Sequence, residues 1–368
     1  MTTMTGEKSW ASSRYSPEDV GDRLQLLRKI WGDSEPADPA YQDWLCQRSP
    51  AGAVIAALAR EGETAQLIGE AATIPIRVSL SGRARTASLS LSPLTDPVYQ
   101  DRDIAANLLM DACALSVEDG IAFSYSFPDA LSHWTFVHRA EFRDIGAVPL
   151  LIRPLNVERL ALRTTQSPVL GKATSFARRL WRTSQAAPPR EAPSGLEIAE
   201  VVSFDNSFAA FWYRVHHRFP VMVVRDPAYL NWRFVDVPTR EYTIFAARSE
   251  EQIRGFTVLR IAPLGRFSVG LIVDLVVDAS AEGRAAGRLL IDLAYSHFEG
   301  LDLDLVASLA LRHTDEFRLL RSRGFRVCPK FLQPHPFRLV VRCHNEEASH
   351  LAYDLRNWFV TMGDCDAV

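Results

Sequence analysis

The sequence predicts a mixed α/β fold of the α+β type, built from two similar units. The chain has 368 residues, and at roughly 150 residues per domain this length suggests two domains. The predicted helices and strands follow one order in the first part of the chain and repeat it in the second, which favours an internal duplication. Between the parts, residues 186–194 form a proline-rich run typical of a linker. We therefore predict an N-terminal domain over residues 1–160, a linker over 161–194, a C-terminal domain over 195–345, and a C-terminal helix and tail over 346–368.

The first unit is predicted to be a mostly antiparallel sheet flanked by helices. Its first helix carries Leu24, Leu27 and Ile30 at helical spacing with charged residues between them. Glycine and proline separate the strand-like runs that follow. The predicted elements are a helix over 17–31, strands over 53–59, 65–80 and 87–91, a helix over 101–117, a strand over 121–127, a helix over 130–140 and a closing strand pair over 142–155.

The second unit repeats this order with little sequence identity. Apolar periodicity again separates helices from strands, and glycines at 255 and 265 mark turns. The predicted elements are helices over 208–217 and 227–234, strands over 242–247, 252–261 and 268–277, a helix over 283–298, a strand over 301–309, a helix over 314–323, and last strands over 325–332 and 337–343.

Composition and charge narrow the functional class. The formal net charge is −3 and the pI is about 6.3, which gives no support to a nucleic-acid-binding protein. The five cysteines form no C-x-x-C pair, so neither a disulfide framework nor a zinc ribbon is indicated. The N-terminal residues show no signal peptide, and the longest apolar run is far shorter than the roughly 20 residues of a membrane span. We therefore expect a cytoplasmic protein without a metal site.

One basic segment leaves membrane contact open. Residues 169–182 place Leu180 and Trp181 on an apolar helical face and Arg178, Arg179 and Arg182 among the charged residues. A basic amphipathic helix of this kind can lie on a membrane surface. The alternative is that Trp181 packs onto one of the two domains.

Several motifs identify a family that the chain resembles. Gln100 and Ala105 match the first and last positions of the loop pattern Q/R-x-x-G-x-G/A, and Asp103 stands at its glycine. Residues 127–132 (FPDALS), 226–234 (DPAYLNWRF) and 323–325 (RGF) are also family-like, whereas residues 284–287 fit R-x-x-G only weakly. On these residues the chain resembles tandem proteins of the GNAT family of N-acyltransferases, some of which are associated with polysaccharide synthesis.

The resemblance implies a cofactor and its site. In that family a β-bulge splays two strands, an acyl-CoA lies between them, and the loop before a helix holds the pyrophosphate through backbone N–H groups. The implied cofactor is acetyl-CoA or another acyl-CoA. The residues implied to hold it are Gln100, Asp101, Arg102, Asp103, Ile104, Ala105 and Ala106.

The resemblance also implies candidates for catalysis and acceptor binding. Direct attack of an amine on the thioester needs a base, for which Glu70 and Asp274 are the candidates. The alternatives are that Glu70 is a solvated strand residue and that Asp274 pairs with an arginine such as Arg233. Asp129 and Ser132 end a strand beside the implied acyl site, where they either bind the acceptor or cap a helix. The family's usual tyrosine acid is replaced by Leu320 in the second half and by Val137 or a neighbour in the first.

Three functions remain in competition at this point. The first is an acyl-CoA-dependent N-acyltransferase that acetylates a primary amine, such as an amino sugar in surface-polysaccharide synthesis. The second is a catalytically degenerate tandem GNAT protein that acts as a binding or regulatory module. The third is an aminoacyl transferase similar to the peptidoglycan-bridge enzymes, which the net charge disfavours because aminoacyl-tRNA requires a basic groove.

Overall fold

The part of the chain that the structure describes contains two mixed β-sheets, one of nine strands and one of seven. The structure is a computed structural model that describes residues 10–164, 195–333 and 335–365. The predicted linker and the basic segment 169–182 lie outside the described residues.

The first half contains eight strands and five helices among its described residues. The apolar faces of its helices α1 and α3 pack on the sheet, as the periodicity predicts. In chain order the elements are β1 (Trp10–Arg14), α1 (Val20–Trp31), α2 (Pro39–Gln47), β2 (Ile55–Glu61), β3 (Leu67–Leu80), β4 (Arg83–Ser90), β5 (Leu94–Thr95), α3 (Ile104–Glu118), β6 (Phe123–Ser126), α4 (His133–His138), β7 (Arg143–Ala147), β8 (Leu150–Pro154) and α5 (Val157–Thr164).

The described second half repeats this order and adds a C-terminal helix. Each of its longer helices begins at a residue whose side chain accepts a backbone N–H, such as Asp205 or Ser280. The elements are β9 (Leu196–Glu200), α6 (Asn206–Val215), β10 (Val221–Val223), α7 (Pro227–Phe234), β11 (Thr243–Ser249), β12 (Gln252–Leu264), β13 (Phe267–Val277), α8 (Ala281–Phe298), β14 (Leu305–Leu309), α9 (Asp315–Ser322), β15 (Arg326–Val327), β16 (Arg338–Cys343) and α10 (Glu346–Ala352).

The two halves exchange their last strands. The first sheet has the order β1-β2-β3-β4-β6-β16-β7, so β16 from the second half lies inside it. The second sheet has the order β15-β8-β14-β13-β12-β11-β9, so β8 from the first half lies inside that one. The predicted closing strand pair over 142–155 is therefore wrong as a pair: β7 bonds to β16, and β8 bonds to β14 and β15. Strand patterns show which residues are extended, but the choice of partner depends on tertiary packing.

Each sheet contains one parallel strand pair that opens into a gap. In the first sheet β4 and β6 pair at Ser88 and Leu89 only, and in the second sheet β13 and β14 pair from Val269 to Ile272. A bulge marks the opening in both. Between Ser90 and Leu94 the chain has one residue more than the facing segment of β3, and Val273 is extra relative to β12. An extra residue bends its strand away from its neighbour, so both halves carry the splayed geometry that the resemblance implies.

A reciprocal tryptophan pair joins the halves and reveals an internal repeat. Trp44 Nε1 donates to the carbonyl of Trp232 at 2.7 Å, and Trp232 Nε1 donates to the carbonyl of Trp44 at 3.2 Å. Their rings stack with centroids 4.9 Å apart. Both tryptophans end the same pattern, D-P-A-Y-x-D/N-W, over residues 38–44 and 226–232. The repeat, in α2 and α7, supports the predicted duplication and relates the two helices as equivalents.

The largest apolar core is shared by both halves. Strand β10 of the second half pairs with β3 of the first, with Val221 opposite Leu80. Buried residues of both sheets, including Ile74 and Phe256, belong to one continuous cluster. Smaller clusters lie beneath α3 on the outer face of the first sheet and beneath α8 on that of the second. The halves therefore form one body around a common core.

Candidate active site

In the loop before α3, the residue at the glycine position of the motif has a backbone conformation that glycine favours. A 3-10 helix over Pro97–Arg102 leads to Asp103, which adopts φ 54° and ψ 17° in the left-handed region. Aspartate tolerates this region better than most residues other than glycine. The loop is held from beneath by Asp96, whose carboxylate accepts from the Val98 N–H at 3.1 Å and from Lys29 Nζ at 2.5 Å. The departure at Asp103 thus preserves the conformation of the loop.

The first turn of α3 has backbone N–H groups without a partner among the described residues. The Asp103 side chain does not cap the helix and instead pairs with Arg139 at 3.1 Å. Among the described residues, no group accepts from the N–H of Ile104, Ala105 or Ala106. Unpaired N–H groups at a helix N-terminus form a binding site for phosphate. Gln100 is exposed beside this turn, and the side chains of Asp101 and Arg102 lie outside the described residues.

The gap in the first sheet opens onto a cavity of about 380 Å³. We call it the first cavity. Leu89 and Leu91 line it from one splayed strand, and Phe127 and Asp129 line it from the end of the other. Helices α1, α2 and α7 close it, and residues 363–365 form part of its wall. Its lining is mainly apolar, and Ser92 Oγ lies 3.3 Å from Ser132 Oγ across the gap.

Glu70 lines the first cavity in a buried ion pair. Its side chain is only 3% exposed, and its Oε2 accepts from Arg23 Nε at 2.6 Å. Arg23 also donates to Gln42 and Cys46. Burial alone would lower the pKa of Arg23, but the charge and hydrogen bond of Glu70, together with the other groups around the guanidinium, outweigh that effect and raise it. The alternative that Glu70 is solvated is therefore wrong. Among the described residues no hydrogen bond reaches Glu70 Oε1.

Asp129 and Ser132 form the turn before α4 at the edge of the first cavity. Asp129 Oδ1 accepts from the N–H groups of Leu131 and Ser132 and from Ser132 Oγ, at 3.0, 2.7 and 2.7 Å. Partial burial would raise the pKa of Asp129, but these hydrogen bonds lower it, so the carboxylate stays ionised. The two residues thus form the turn before α4, where Ser132 stands at the N-cap position without a side-chain hydrogen bond to the helix, and Asp129 also faces the cavity beside His335.

Asp274 lies in a buried network outside the first cavity. Its Oδ2 accepts from Arg225 Nε at 3.0 Å, and Arg225 also donates to Asp364 at 2.9 Å and to Thr361 at 3.0 Å. Burial raises the pKa of Asp274 despite the nearby guanidinium. The partner is Arg225 rather than the suggested Arg233, which donates to the carbonyls of Gly363 and Cys365. The structure therefore separates the two predicted bases: Glu70 faces the cavity and Asp274 does not.

Side chains and a 3-10 helix of the second half fill the gap in the second sheet. Beyond Ile272, the Val277 N–H donates to Glu316 at 3.3 Å and its carbonyl accepts from Arg218. The 3-10 helix Met362–Asp364 packs against β13. Residues 284–287 lie within α8, where Gly287 packs against Leu319 and Val277. Within the described residues, only the first half therefore combines an open gap with an uncapped helix turn.

Sequence reasoning missed several residues of the first cavity. Tyr41 and Tyr229, which are equivalent positions of the repeat, both line it, as do Arg240 and Asp364. Arg240 binds Glu35 at 2.6 Å and Tyr41 Oη at 3.2 Å. The repeated D-P-A-Y pattern was a signal that could have drawn attention to both tyrosines. Asp364 and Arg240 carry no comparable signal, since they reach the cavity through tertiary packing.

Two further properties bear on the kind of site this is. No cluster of three or more histidine, cysteine, aspartate or glutamate side chains suited to a metal ion occurs among the described residues. None of the helices within the described ranges has the length and apolar character needed to cross a bilayer.

Comparison with known proteins identifies the fold. No protein-family profile and no curated protein matches the chain. Among solved structures, it is similar to a GCN5-related N-acetyltransferase from Anabaena variabilis, at 14% identity over 91% of this chain and 73% of that one, with a TM-score of 0.62. A probable N-acyltransferase from Enterococcus faecalis, described as a conserved protein of unknown function, matches at 13% over 91% and 72%, with a TM-score of 0.61.

A third similar structure binds a long acyl chain. Saccharomyces cerevisiae N-myristoyltransferase with bound myristoyl-CoA matches at 13% identity over 92% of this chain and 79% of that one, with a TM-score of 0.56. At these identities the likeness concerns the fold, and the predicted fold class is confirmed: the chain has two GNAT-like halves, each a mixed, mostly antiparallel sheet flanked by helices.

Proposed function

We propose that the protein is an acyl-CoA-dependent N-acyltransferase whose active site lies in the first half. The observation that carries this proposal is the contrast between the two gaps. The first opens onto a cavity and is followed along the chain by α3, whose first-turn N–H groups have no partner among the described residues, whereas the second is occupied by Arg218, Glu316 and the 3-10 helix Met362–Asp364. The solved structures with this fold that we name above include N-acetyl- and N-myristoyltransferases, which supports acyl transfer as the chemistry.

In the proposed reaction an amine attacks the thioester carbonyl within the first cavity. The N–H groups of Ile104, Ala105 and Ala106 would hold the pyrophosphate of the acyl-CoA, which supplies the activated acyl group. Glu70 would take a proton from the acceptor ammonium, because it faces the cavity and its Oε1 accepts no other hydrogen bond among the described residues. The new C–N bond forms as the C–S bond breaks, CoA leaves as a thiolate, and the second proton released by the attacking nitrogen neutralises that thiolate.

The lining of the first cavity favours an acyl group longer than acetyl. A cavity of about 380 Å³ is within the size range of sites that enclose whole ligands. Its apolar wall includes Leu27, Ile74 and Leu89, and each buried methylene of an acyl chain would gain about 0.8 kcal/mol there. We therefore expect kcat/KM to rise with chain length beyond acetyl-CoA. The amino-sugar acceptor and a role in surface-polysaccharide synthesis rest on the sequence resemblance and stay predictions, as does cytoplasmic localisation.

A matched pair of substitutions tests the location of the acyl-CoA site. Ala105→Glu places a carboxylate in the first turn of α3, and Ala281→Glu places one in the first turn of α8, the equivalent helix of the second half. A glutamate in a first helical turn stabilises the helix itself, so both variants should fold. Isothermal titration with a series of acyl-CoAs should show at least about tenfold weaker binding for Ala105→Glu only.

Four results would contradict the proposal in different ways. Equal binding by both variants would exclude the α3 turn, and weaker binding by Ala281→Glu alone would move the site to the second half. Absence of binding by the wild-type protein would refute the acyl-CoA dependence. Tight binding without transfer to any amine would instead support the catalytically degenerate binding module.

A further inference from the structure

A second cavity, of about 720 Å³, lies in the second half beside the wall of the first. It is lined by Arg240, Tyr242, Arg260 and His297 and by apolar residues of β11 and β12. Arg240 lines both cavities. The acyl-transfer reaction proposed above uses none of the residues that are unique to the second cavity.

Arg260 is the residue that distinguishes the second cavity. Its guanidinium carbon lies 5.8 Å from the centre of the Tyr242 ring, and within the described residues it forms no ion pair and no hydrogen bond. The neighbouring Arg240 is already matched by Glu35, with nitrogen–oxygen distances of 2.9 and 2.6 Å. Arg260 is therefore a half-buried cation that lacks a partner of opposite charge.

Two further arginines, Arg240 and Arg233, lie near Arg260. Burial would raise the pKa of Tyr242, but Arg233, Arg240 and Arg260 outweigh it and lower that pKa. Partial burial, with Arg240 and Arg233, lowers the pKa of Arg260 more than Tyr242 and Glu35 raise it. Within the described part of the chain, the buried Tyr242 hydroxyl makes no hydrogen bond. Glu200 and Glu241 also line the cavity, but both are exposed and neither pairs with Arg260.

Three apolar residues that line the second cavity are exposed. Val202 is 86% exposed, Ile261 51% and Val235 38%, and all three line the cavity. Exposed large apolar side chains around a cleft are typical of a binding site. A ligand that suits both features would combine a negative group with an apolar part.

We propose that the second cavity binds a small organic anion, with its phosphate or carboxylate on Arg260 and its apolar part against Val202, Val235 and Ile261. A guanidinium suits both anions because its planar fork donates two parallel hydrogen bonds. The anion would supply the opposite charge that Arg260 lacks. This site is independent of the proposed acyl transfer.

Titration calorimetry with simple probes tests the site. Phenyl phosphate and phenylacetate distinguish the two anions, and benzyl alcohol is the uncharged control. We expect one of the anions to bind saturably and benzyl alcohol not to bind. Arg260→Gln should weaken the binding at least about tenfold, since loss of a charge-assisted hydrogen bond commonly costs that factor, and Arg260→Lys should weaken it less.

The control is Arg266→Gln, which removes the same charge from an exposed position in the turn after β12. It should leave the probe affinity within twofold of wild type. Absence of binding by either anion, or equal affinities for Arg260→Gln and wild type, would overturn the proposal. Acyl-CoA affinity is measured on the same preparations, and a matching loss for Arg260→Gln would assign Arg260 to the cofactor site and also overturn it.

Discussion

Removal of Arg225 tests how the 3-10 helix Met362–Asp364 is held against the second sheet. Arg225 and Asp274 are each 1% exposed and Asp364 is 3% exposed, so water cannot screen them. Replacing Arg225 by methionine retains much of the volume but leaves two buried carboxylates without their cation. Breaking a buried pair from one side typically costs about 3–5 kcal/mol, and the second carboxylate places the expected loss at the upper end of this range.

The free energy of unfolding that Arg225→Met loses should increase as the pH rises. Burial raises the pKa of Asp274 even with Arg225 present, and removing the guanidinium takes away an interaction that lowers it. A carboxyl whose pKa is raised in the folded state contributes most stability below its ordinary value of about 3.9 and loses that contribution as the pH rises through the folded value. The free-energy deficit of Arg225→Met should therefore be larger at pH 8 than at pH 5.

Urea denaturation at the two pH values measures both effects. The control is Arg85→Met, because Arg85 pairs with Glu347 at the surface, with exposures of 36% and 41%, and such pairs contribute about 0–1 kcal/mol. The double variant Arg225→Met/Asp274→Asn should regain part of the stability. A loss below about 1 kcal/mol at pH 8, or the same loss at both pH values, would refute the reasoning.

Three other substitutions have expected outcomes. Glu70→Gln should lower kcat by about 100-fold or more while leaving the acyl-CoA affinity unchanged, because it removes the proposed base; steady-state kinetics and calorimetry measure the two quantities. Asp103→Gly should strengthen acyl-CoA binding, since it retains the left-handed backbone and removes a negative charge near the pyrophosphate. Trp44→Phe should lower the free energy of unfolding by about 1–3 kcal/mol, because it removes the Nε1 donor and leaves the Trp232 carbonyl unpaired.

Each of these has its own control. Glu70→Asp should retain part of the activity, and full activity of Glu70→Gln would exclude Glu70 as the base. Asp103→Ala should weaken binding, because the left-handed region costs alanine about 1–2 kcal/mol; equal effects of glycine and alanine would argue against the conformational explanation. Trp134→Phe, at a side chain that is 56% exposed, should change stability by less than about 0.5 kcal/mol.

Local sequence patterns predicted the helices and strands better than they predicted which strands pair. The helix predicted over 283–298 is found as α8 over Ala281–Phe298, because its apolar spacing and its Ser280 cap are local features. Strand β1 and helix α2 were not predicted, although Asp38 caps α2 through the N–H groups of Ala40 and Tyr41. The predicted domain boundaries stay a prediction. They do not coincide with the two sheets, because the exchanged strands place a part of each predicted domain in the sheet of the other.

In the candidate site, too, some features could be predicted from the sequence and others could not. The loop from Gln100 to Ala106 was predicted from its resemblance to the family's loop pattern, and its role in holding an acyl-CoA stays a prediction. The surroundings of Glu70 could not be identified, since its partner Arg23 lies 47 residues earlier and only the packing of α1 brings the two together. Arg260 likewise shows no sequence signal, because its lack of a partner is a property of the folded surface.

The exchanged strands have a consequence for synthesis of the protein. The place between β6 and β7 in the first sheet is filled by β16, which the ribosome makes about 200 residues after β7. At about 5–20 residues per second, this corresponds to roughly 10–40 s. During this time the nascent first half has two unpaired strand edges and cannot complete its sheet. Neither half is therefore expected to fold as a truncated fragment, and chaperones that shield strand edges should act on the nascent chain.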